Sequence, residues 1–436
     1  MASADVPVTK TKFSSSSGDF PFADILCPCV HKGLLAHTHY IIPAGHSNAS
    51  SFRLELKETA DLCKPDFNKA RAQLAMAPDD FPYGLTESQW WEYSLSPHSY
   101  LALGNGNFQI GLNYSNRFLH LDTHRAQAHL FDPGVGDEFL STTNWFDPED
   151  GCLWFASWPV KDMLMRHFNP LDNVRVTIWN FSLASSEKKQ IWQGNLGDSL
   201  HQLALTPDKR FLVLAELGLR PRKPAAAERA DEKQSIAPSE VLVLDLQTNR
   251  EWRLEMPSAA HVEFDPEDPS VCYLSGHNIG LIGPKVGIFG SAIINKVRLT
   301  PTGPQVIAGF THPDFYRITT HLVFSRRGKT LIAVSGYPGQ IFLIEVSTMT
   351  LHGIIEMEVK DKVDTSVSPH LCREDSYGIA ASADGRHLLL CTTGLLQVAD
   401  IDTGQFVLTE KVEGYPESSC FTGHLAQAHP ALGMTA

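Results

Sequence analysis

The sequence predicts an all-β fold, a seven-bladed β-propeller with four antiparallel strands in each blade. A short strand, a polar turn and a second apolar strand recur along the chain. Aligning the last apolar residue of each first strand gives Phe146, Leu205, Phe264, Phe324 and Ala381, which are 59, 59, 60 and 57 residues apart. A third strand, a turn and a fourth strand complete each unit. Four short strands in a unit of about sixty residues are typical of a propeller blade.

The third strand of each unit ends in an acidic or amide residue that precedes a turn. Val241–Asp245, Ile341–Glu345 and Gln397–Asp400 follow this pattern. A fourth strand comes directly after the turn, as at Glu251–Leu254 and Gln405–Leu408. Units so rich in strands exclude a helical solenoid.

The N-terminal part of the chain has room for about two more such units. Residues 93–98 read as a turn between a first and a second strand, with Tyr100–Leu103 as the second strand. Phe108–Leu112 and Arg117–Leu121 are then the outer strands of that blade. The length of 436 residues, divided by about sixty per unit, gives seven blades, and six is the alternative.

A single large domain is expected. Residues 1–25 are predicted to be a flexible N-terminal segment, and 26–436 a single propeller. Two loops are inserted into it, at about 219–239 and 276–290. The first has mixed charges and no apolar period, which is typical of a solvated loop. The second is Gly-rich, apolar and nearly uncharged, and forms either a lid over one face of the disc or a plain long hairpin.

Composition limits the partners and the compartment. A net charge of −13 excludes a nucleic-acid partner, because phosphate binding needs clustered Lys and Arg. No apolar run reaches the roughly 18 residues that would cross a membrane, and the polar N-terminus lacks the features of a secretory signal. The eight cysteines are scattered without metal-ligand pairs. We therefore expect a cytoplasmic protein that acts on a small molecule, and its oligomeric state stays open.

Histidines stand near the start of the predicted first strands. His261 and His321 lie three residues before the aligned Phe, His201 lies four before Leu205, and His370 precedes the next first strand. First strands surround the axis of a propeller, so four imidazoles near one end of the axis are predicted to hold a divalent transition metal. Mn, Fe, Cu and Zn all suit imidazole, and a four-His set leaves positions open for substrate.

A histidine hydrogen-bond network without metal, as in WD-repeat propellers, is the alternative interpretation. WD repeats carry a Gly-His pair in the loop before the first strand, and no Gly-His precedes His201, His261 or His321. The one-residue offset of His201 needs a β-bulge, since side chains in a strand alternate between its two faces.

The segment before His321 is rich in groups that can act on a substrate. Arg317 is a candidate partner for a substrate carboxylate, and Tyr316 or His312 for proton exchange. The alternative is an ordinary connection between blades. His124 and His129 are predicted to lie in a solvated loop. The sequence has no Gly-x-Ser-x-Gly, P-loop, dinucleotide fingerprint or His-Glu-x-x-His, which excludes the commonest hydrolases, kinases and dehydrogenases.

The stretch His261–Pro269, followed by Gly276 and His277, resembles a blade of the oligogalacturonate lyases. The next blade resembles them too, with His321 before a first strand and Ser325, Gly328 and Lys329 in its turn. The resemblance covers about the last 180 residues, and the general fold is also similar to that of YVTN-type lactonases. It implies a seven-bladed propeller that binds Mn²⁺ through histidines and a glutamine and cleaves uronate chains by β-elimination. His261 and His321 match metal ligands, His370 alone matches the family's Gln-x-x-His-x-His run, and His277 becomes a candidate catalytic residue.

The function expected from these observations is that of a metal-dependent propeller enzyme. It would act on a small oxygenated substrate by elimination, isomerisation or cyclisation, through Lewis-acid activation and proton transfer in the central channel. Three alternatives remain open: a four-His metal oxygenase, a non-catalytic interaction platform with structural histidines, and a metal-free lactonase or cycloisomerase.

Overall fold

The computed structural model describes most of the chain between residues 97 and 411, with shorter stretches toward both ends. The described residues are 4–6, 8–12, 25–30, 36–42, 50–55, 67–74, 97–104, 106–112, 114–122, 125, 127–168, 173–198, 200–216, 239–256, 259–276, 279–282, 285–288, 292–315, 322–325, 328–335, 339–357, 378–382, 385–392, 395–411 and 426–427.

In the described part of the chain, six antiparallel blades follow one another in sequence order, and a hairpin is inserted into blade 4. Blade 1 contains β6 (Pro97–Gly104), β7 (Asn107–Leu112), β8 (Phe118–Asp122) and β9 (Gln127–Phe131). In blade 2, two short strands, β10 (Glu138–Leu140) and β11 (Trp145–Asp147), share the first position, before β12 (Cys152–Pro159), β13 (Val174–Ser182) and β14 (Lys188–Leu196). Blade 3 contains β15 (Leu200–Leu205), β16 (Phe211–Glu216), β17 (Ser239–Asp245) and β18 (Arg250–Met256).

The remaining three blades have the same order of strands. Blade 4 contains β19 (His261–Phe264), β20 (Val271–Ser275), β23 (Ile294–Thr300) and β24 (Gly303–Phe310), with the hairpin of β21 (Ile279–Ile282) and β22 (Lys285–Ile288) inserted. Blade 5 contains β25 (Val323–Phe324), β26 (Thr330–Ser335), β27 (Gln340–Glu345) and β28 (Thr350–Glu356). Blade 6 contains β29 (Gly378–Ala381), β30 (His387–Thr392), β31 (Leu395–Asp400) and β32 (Gln405–Lys411).

Among the described residues, a further sheet and two helices lie outside this pattern. The sheet has the order β2-β5-β4-β3-β33 and joins strands from both ends of the chain. These are β2 (Val8–Lys12), β3 (Ile25–Val30), β4 (Ala36–Ile42), β5 (Ser50–Glu55) and β33 (Ala426–Gln427). β1 (Ala4–Val6) pairs with the outer strand of blade 1, so parts of the segment predicted to be flexible are edge strands. The helices are α1 (Phe67–Gln73) and α2 (Val160–Phe168).

The all-β propeller prediction is confirmed, and the count of blades follows the alternative. Six blades with four consecutive strands match the count of six, so the main count of seven is off by one. Division of the chain length by sixty overestimates the number, because the chain also contains the separate five-stranded sheet, α1, α2 and the β21–β22 hairpin. That hairpin agrees with the second interpretation of the 276–290 insertion, and the charged loop at 220–238 lies outside the described residues.

The aligned repeat positions are where the sequence predicts them. Phe146 is in β11, and Leu205, Phe264, Phe324 and Ala381 are the last residues of the first strands of blades 3 to 6. In blade 1 the strand assignment is wrong by one strand. Tyr100–Leu103 lies in the first strand, and the turn that follows comes at Gly106, whose φ of 72° suits a residue without a Cβ.

The second strand of each blade is buried on both faces, which explains its continuous apolar sequence. In blade 3, Leu212 and Leu214 pack toward blade 2, while Val213 and Ala215 pack toward blade 4. Similar clusters fill the gaps between blades 1 and 2, 4 and 5, and 5 and 6. The described core is therefore a series of apolar layers between neighbouring blades.

One face of the disc, here called the upper face, is where β15 and β19 begin, at Leu200 and His261. A parallel bridge between Thr143 and Gln202 shows that the innermost strands of blades 2 and 3 run in the same direction. Connections from a second to a third strand reach this face too, because neighbouring strands of a blade are antiparallel. The upper face consequently carries α2 and the β21–β22 hairpin.

The opposite, lower face carries a repeated turn at the end of the third strand. In blade 3, Oδ1 of Asp245 accepts hydrogen bonds from the backbone N–H groups of Gln247 and Thr248, and Arg210 donates to Oδ2 at 3.0 Å. Blade 6 repeats the arrangement with Asp400 and Arg386. This bonding explains why an acidic residue ends the third strand in both blades.

The outer strands of four blades share a β-bulge at the same place. Pairing with the third strand skips one residue in each of them, namely Ile191, Ile307, His352 and Val407. The outer strand of blade 3, β18, pairs without interruption from Arg250 to Met256. The outer strand of blade 1 is covered by β1.

Candidate active site where the innermost strands begin

A β-bulge positions His201. Leu200 pairs with Glu216, and the next pair in the ladder is Gln202 with Ala215, so His201 is the extra residue of the bulged strand. The irregularity corrects the one-residue offset from His261 that the sequence contains, because an extra residue re-aims the side chain. The bulge that the sequence required is present.

His201 and His261 meet where the first strands of blades 3 and 4 begin. Their ring centroids are 4.7 Å apart and the ring planes make an angle of 76°. Both residues are buried, with 4% and 1% of their surface exposed. Two of the four predicted ligands are thus brought into contact at one end of the innermost strands.

Gln202 connects the two strands through its side-chain amide. Its Nε2 donates to the carbonyl oxygen of Val262 at 2.9 Å, and its Oε1 accepts from the N–H of Val262 at 3.0 Å. Oε1 also lies 3.3 Å from Nδ1 of His261. The amide therefore bonds to β19 as a neighbouring backbone would, and contacts the histidine with its oxygen.

Further hydrogen bonds link the innermost strands of the preceding blades. The Ser99 hydroxyl of blade 1 donates to the carbonyl of Thr142, and the N–H of Leu203 in blade 3 donates to the carbonyl of Thr143 at 3.5 Å. Ser99, Thr142 and Gln202 are all buried. Blades 1 to 4 are consequently connected around the axis by polar contacts, which hold the beginnings of β15 and β19 in place.

Glu263 follows His261 by two residues and shares its face of β19. It lies opposite Tyr273 and is half-buried. Burial raises the pKa of the Glu263 carboxyl to about 8, because the charged form loses hydration. An imidazole and a carboxylic acid that is protonated at neutral pH thus stand on one edge strand.

Two more buried acids lie beside the bulge. Glu216 pairs with Leu200 and is fully buried, and its carboxylate accepts from the N–H groups of Asp198 and Glu240, each at 3.0 Å. Asp198 is buried as well. The beginning of β15 is therefore surrounded by polar groups, in contrast to the apolar layers between the blades.

The other predicted site residues are placed as follows. Nδ1 of His312 accepts from the N–H of Asp314 at 3.2 Å, and its ring lies 5.6 Å from that of Phe342 in the third strand of blade 5. Its described contacts are therefore between blades rather than with His201 or His261. His277, Tyr316, Arg317, His321 and His370 lie outside the described residues, so their roles stay predictions.

The fit of a metal rests on His201 and His261. Within the described part of the chain, no group of three or more His, Cys, Asp or Glu side chains is arranged to hold a metal ion. Two imidazoles in contact supply half of the predicted four-His set, and Oε1 of Gln202 beside Nδ1 of His261 is the kind of oxygen partner that orients a ligating histidine. The donors are of the right chemistry for a borderline metal.

The sequence pattern did not single out Gln202 or Glu263, and it placed His129 in a loop. Gln202 and Glu263 each interrupt an apolar strand, and Gln202 lies at the same repeat position as His261. His129, predicted in a loop, lies on β9 opposite His120, with Nδ1 of His120 2.9 Å from Nε2 of His129. Residues 127–131 form the outer strand of blade 1, in which Ala128 and Leu130 are buried.

No protein-family model matches the chain, and no curated protein sequence matches it. Among solved structures it is similar to Kuenenia stuttgartiensis hydrazine synthase, with 11% identity over 70% of this chain and 77% of that one, and a TM-score of 0.46. The Dos1 propeller has 10% identity over 73% and 71%, with a TM-score of 0.44. A functionally unknown protein from Desulfotomaculum acetoxidans has 12% identity over 76% and 90%, with a TM-score of 0.46.

Among the helices that the structure describes, none has the length and apolar character to cross a membrane.

Proposed function

We propose that this protein is a metal-dependent β-propeller enzyme whose active site lies where β15 and β19 begin. The substrate is a small oxygenated molecule, and the reaction is an elimination, isomerisation or cyclisation that starts with removal of a proton beside a carbonyl or carboxylate group. The observation that carries the proposal is the contact between His201 and His261, two buried imidazoles from consecutive blades with ring centroids 4.7 Å apart.

His201 and His261 would hold the metal together with His321, which the repeat aligns with His261, and His370, which precedes the next first strand. When bound, a divalent ion supplies a Lewis acid that polarises a substrate oxygen. The chain itself supplies proton transfer and positioning. Glu263, kept protonated at neutral pH by burial, is suited to donate a proton to a developing oxyanion or leaving group.

The position on the upper face supports access for a substrate. Two described insertions between second and third strands, α2 and the β21–β22 hairpin, reach the same face. Long connections placed over a rigid sheet edge are where binding residues commonly lie. His277 belongs in sequence to the connection between the second and third strands of blade 4, whereas Tyr316 and Arg317 belong to the connection between blades 4 and 5. Their proposed roles in binding and proton exchange remain those of the sequence prediction.

Metal analysis tests the proposal directly. Purified wild-type protein should contain about one equivalent of Mn, Fe, Cu or Zn, and His201→Ala or His261→Ala should lower this below about a tenth of an equivalent. His352→Ala is the matched control, because His352 is exposed on the outer strand of blade 5 and should leave the metal content unchanged.

An exchange assay tests the chemistry without knowledge of the net reaction. Hydroxy acids, uronates and lactones are incubated in heavy water, and proton NMR follows loss of the C–H signal beside the carbonyl or carboxylate. Wild type should exchange this hydrogen in at least one compound, and His261→Ala should not. Absence of both metal and exchange in the wild type would refute the proposal and leave an interaction platform as the better interpretation.

A further inference from the structure

We propose that Gln202 is a positioning residue that fixes the tautomer of His261. Its amide oxygen holds the imidazole proton on Nδ1, so that Nε2 carries the lone pair. The catalytic meaning of this inference rests on the proposed function, but the tautomer itself does not.

The orientation of the Gln202 amide is determined by the backbone of Val262. The Val262 carbonyl accepts from Nε2 of the amide, and the Val262 N–H donates to Oε1. A flipped amide would place its NH₂ group against the Val262 N–H and its oxygen against the Val262 carbonyl. Neither contact would then be a hydrogen bond, although Gln202 is only 8% exposed. Leaving two buried polar groups unpaired costs about 1–3 kcal/mol for each, so Oε1 faces His261.

The orientation of the amide then dictates the state of the imidazole. Nδ1 of His261 lies 3.3 Å from Oε1, and an amide oxygen only accepts hydrogen bonds. Nδ1 must therefore be the protonated nitrogen. In the neutral ring the second nitrogen, Nε2, is left as the base or metal ligand. An oxygen partner on Nδ1 also increases the basicity of Nε2 and restrains the ring.

Repeat geometry explains why a glutamine performs this task. Gln202 lies three residues before Leu205, the same register position that His261 occupies before Phe264. The bulge at His201 therefore puts histidine and glutamine side by side in blade 3, where blade 4 has histidine alone. One blade contributes both an imidazole and the group that orients the imidazole of the next blade.

Histidine nitrogen NMR on isotope-labelled, metal-free protein measures the tautomer directly. The His261 signals are identified by their loss in His261→Asn, and recorded at a pH where the imidazole is neutral. The wild type should show the proton on Nδ1. In Gln202→Leu the proton should move to Nε2, which imidazole prefers in water. Gln202→Glu should keep it on Nδ1, because a carboxylate also accepts.

Gln397→Leu is the control for general disturbance of the fold, since Gln397 is a fully buried glutamine on the third strand of blade 6. It should leave the His261 signals unchanged. A wild-type His261 with its proton on Nε2 would overturn the inference, even if the leucine variant fails to fold.

The activity readouts separate this inference from the proposed function. With the tautomer as expected, Gln202→Leu should lower metal affinity or exchange rate by about 10- to 100-fold, and Gln202→Glu should restore part of it. The expected tautomer in a protein without metal or exchange activity would sustain the positioning role and refute the proposed enzyme. If Gln202→Leu has full activity while the His261 proton is on Nε2, the catalytic importance of Gln202 is refuted.

Discussion

Replacing Glu263 with glutamine should stabilise the protein at neutral pH. The carboxyl has a folded-state pKa of about 8 against an ordinary value of 4.5. Folding therefore forces Glu263 to take up a proton whenever the pH lies between these values. Each pH unit above 4.5 costs about 1.4 kcal/mol until the folded pKa is reached. Glutamine has the same shape and no charge to lose.

The expected gain follows from this difference. At pH 7 the full cost is roughly 3 kcal/mol, and partial exposure of the side chain reduces it to about 1–3 kcal/mol. The stability contributed by the protonated form is fully present below pH 4.5 and is lost as the pH rises toward 8. Glu263→Gln should thus match the wild type at pH 4 and exceed it increasingly up to pH 8.

Urea unfolding followed by tryptophan fluorescence, at several pH values, measures the difference. Glu255→Gln serves as the control, because Glu255 is exposed on β18, and it should leave the stability of the protein unchanged at each pH. A Glu263→Gln variant that is less stable than the wild type at pH 7 would refute the reasoning. A gain that does not change with pH would do the same, since it could not come from the carboxyl proton.

Three more predictions concern the frame around the site. Burial lowers the pKa of His120 to about 4. The wild type should therefore lose stability between pH 6.5 and 4, because the imidazole gains a proton in the unfolded chain before it does so in the folded one. In His120→Gln the urea midpoint should depend less steeply on pH. Asp245→Ala should cost about 2–4 kcal/mol in urea unfolding, because it leaves Arg210 without its buried partner; a loss below 0.5 kcal/mol would contradict the turn's structural role. Gly303→Ala should lower the melting temperature, since a Cβ there would lie 2.9 Å from Trp252 with φ at 128°; an unchanged melting temperature would disprove the clash.

The repeat is readable from sequence because each blade repeats one local pattern. Phe264 and Phe324 could be aligned without a structure, since both end a first strand and pack against an apolar layer between neighbouring blades. Glu263 was not recognised, because a charged residue between two apolar ones reads as the solvent face of a strand. Its burial comes from tertiary packing, which the alternation of residues along the strand does not reveal.

The site needed three-dimensional information for a similar reason. The bulge at His201 was predicted as a requirement of geometry, yet its actual partner, Gln202, acts on a strand 60 residues further along the chain. A side-chain amide that replaces a backbone in pairing has no local signature.

Residues 97–104 were assigned to the wrong strand because Pro97 was read as a turn residue, although proline is tolerated at the first residue of a strand.

The repeated bulge in the outer strands bears on how the protein stays dispersed. An outer strand presents unpaired backbone groups, and a regular one can pair with a strand of another molecule. Blades 2, 4, 5 and 6 interrupt that edge with the extra residue, and blade 1 covers it with β1. Among the described residues, blade 3 is the one blade whose outer strand is regular and has no further strand paired to it. Its exposed side chains are charged: Arg250, Glu251, Arg253 and Glu255. On β18, charged side chains rather than a bulge prevent pairing with a strand of another molecule. Replacing these charges with neutral residues would therefore leave a regular edge to which another molecule could pair.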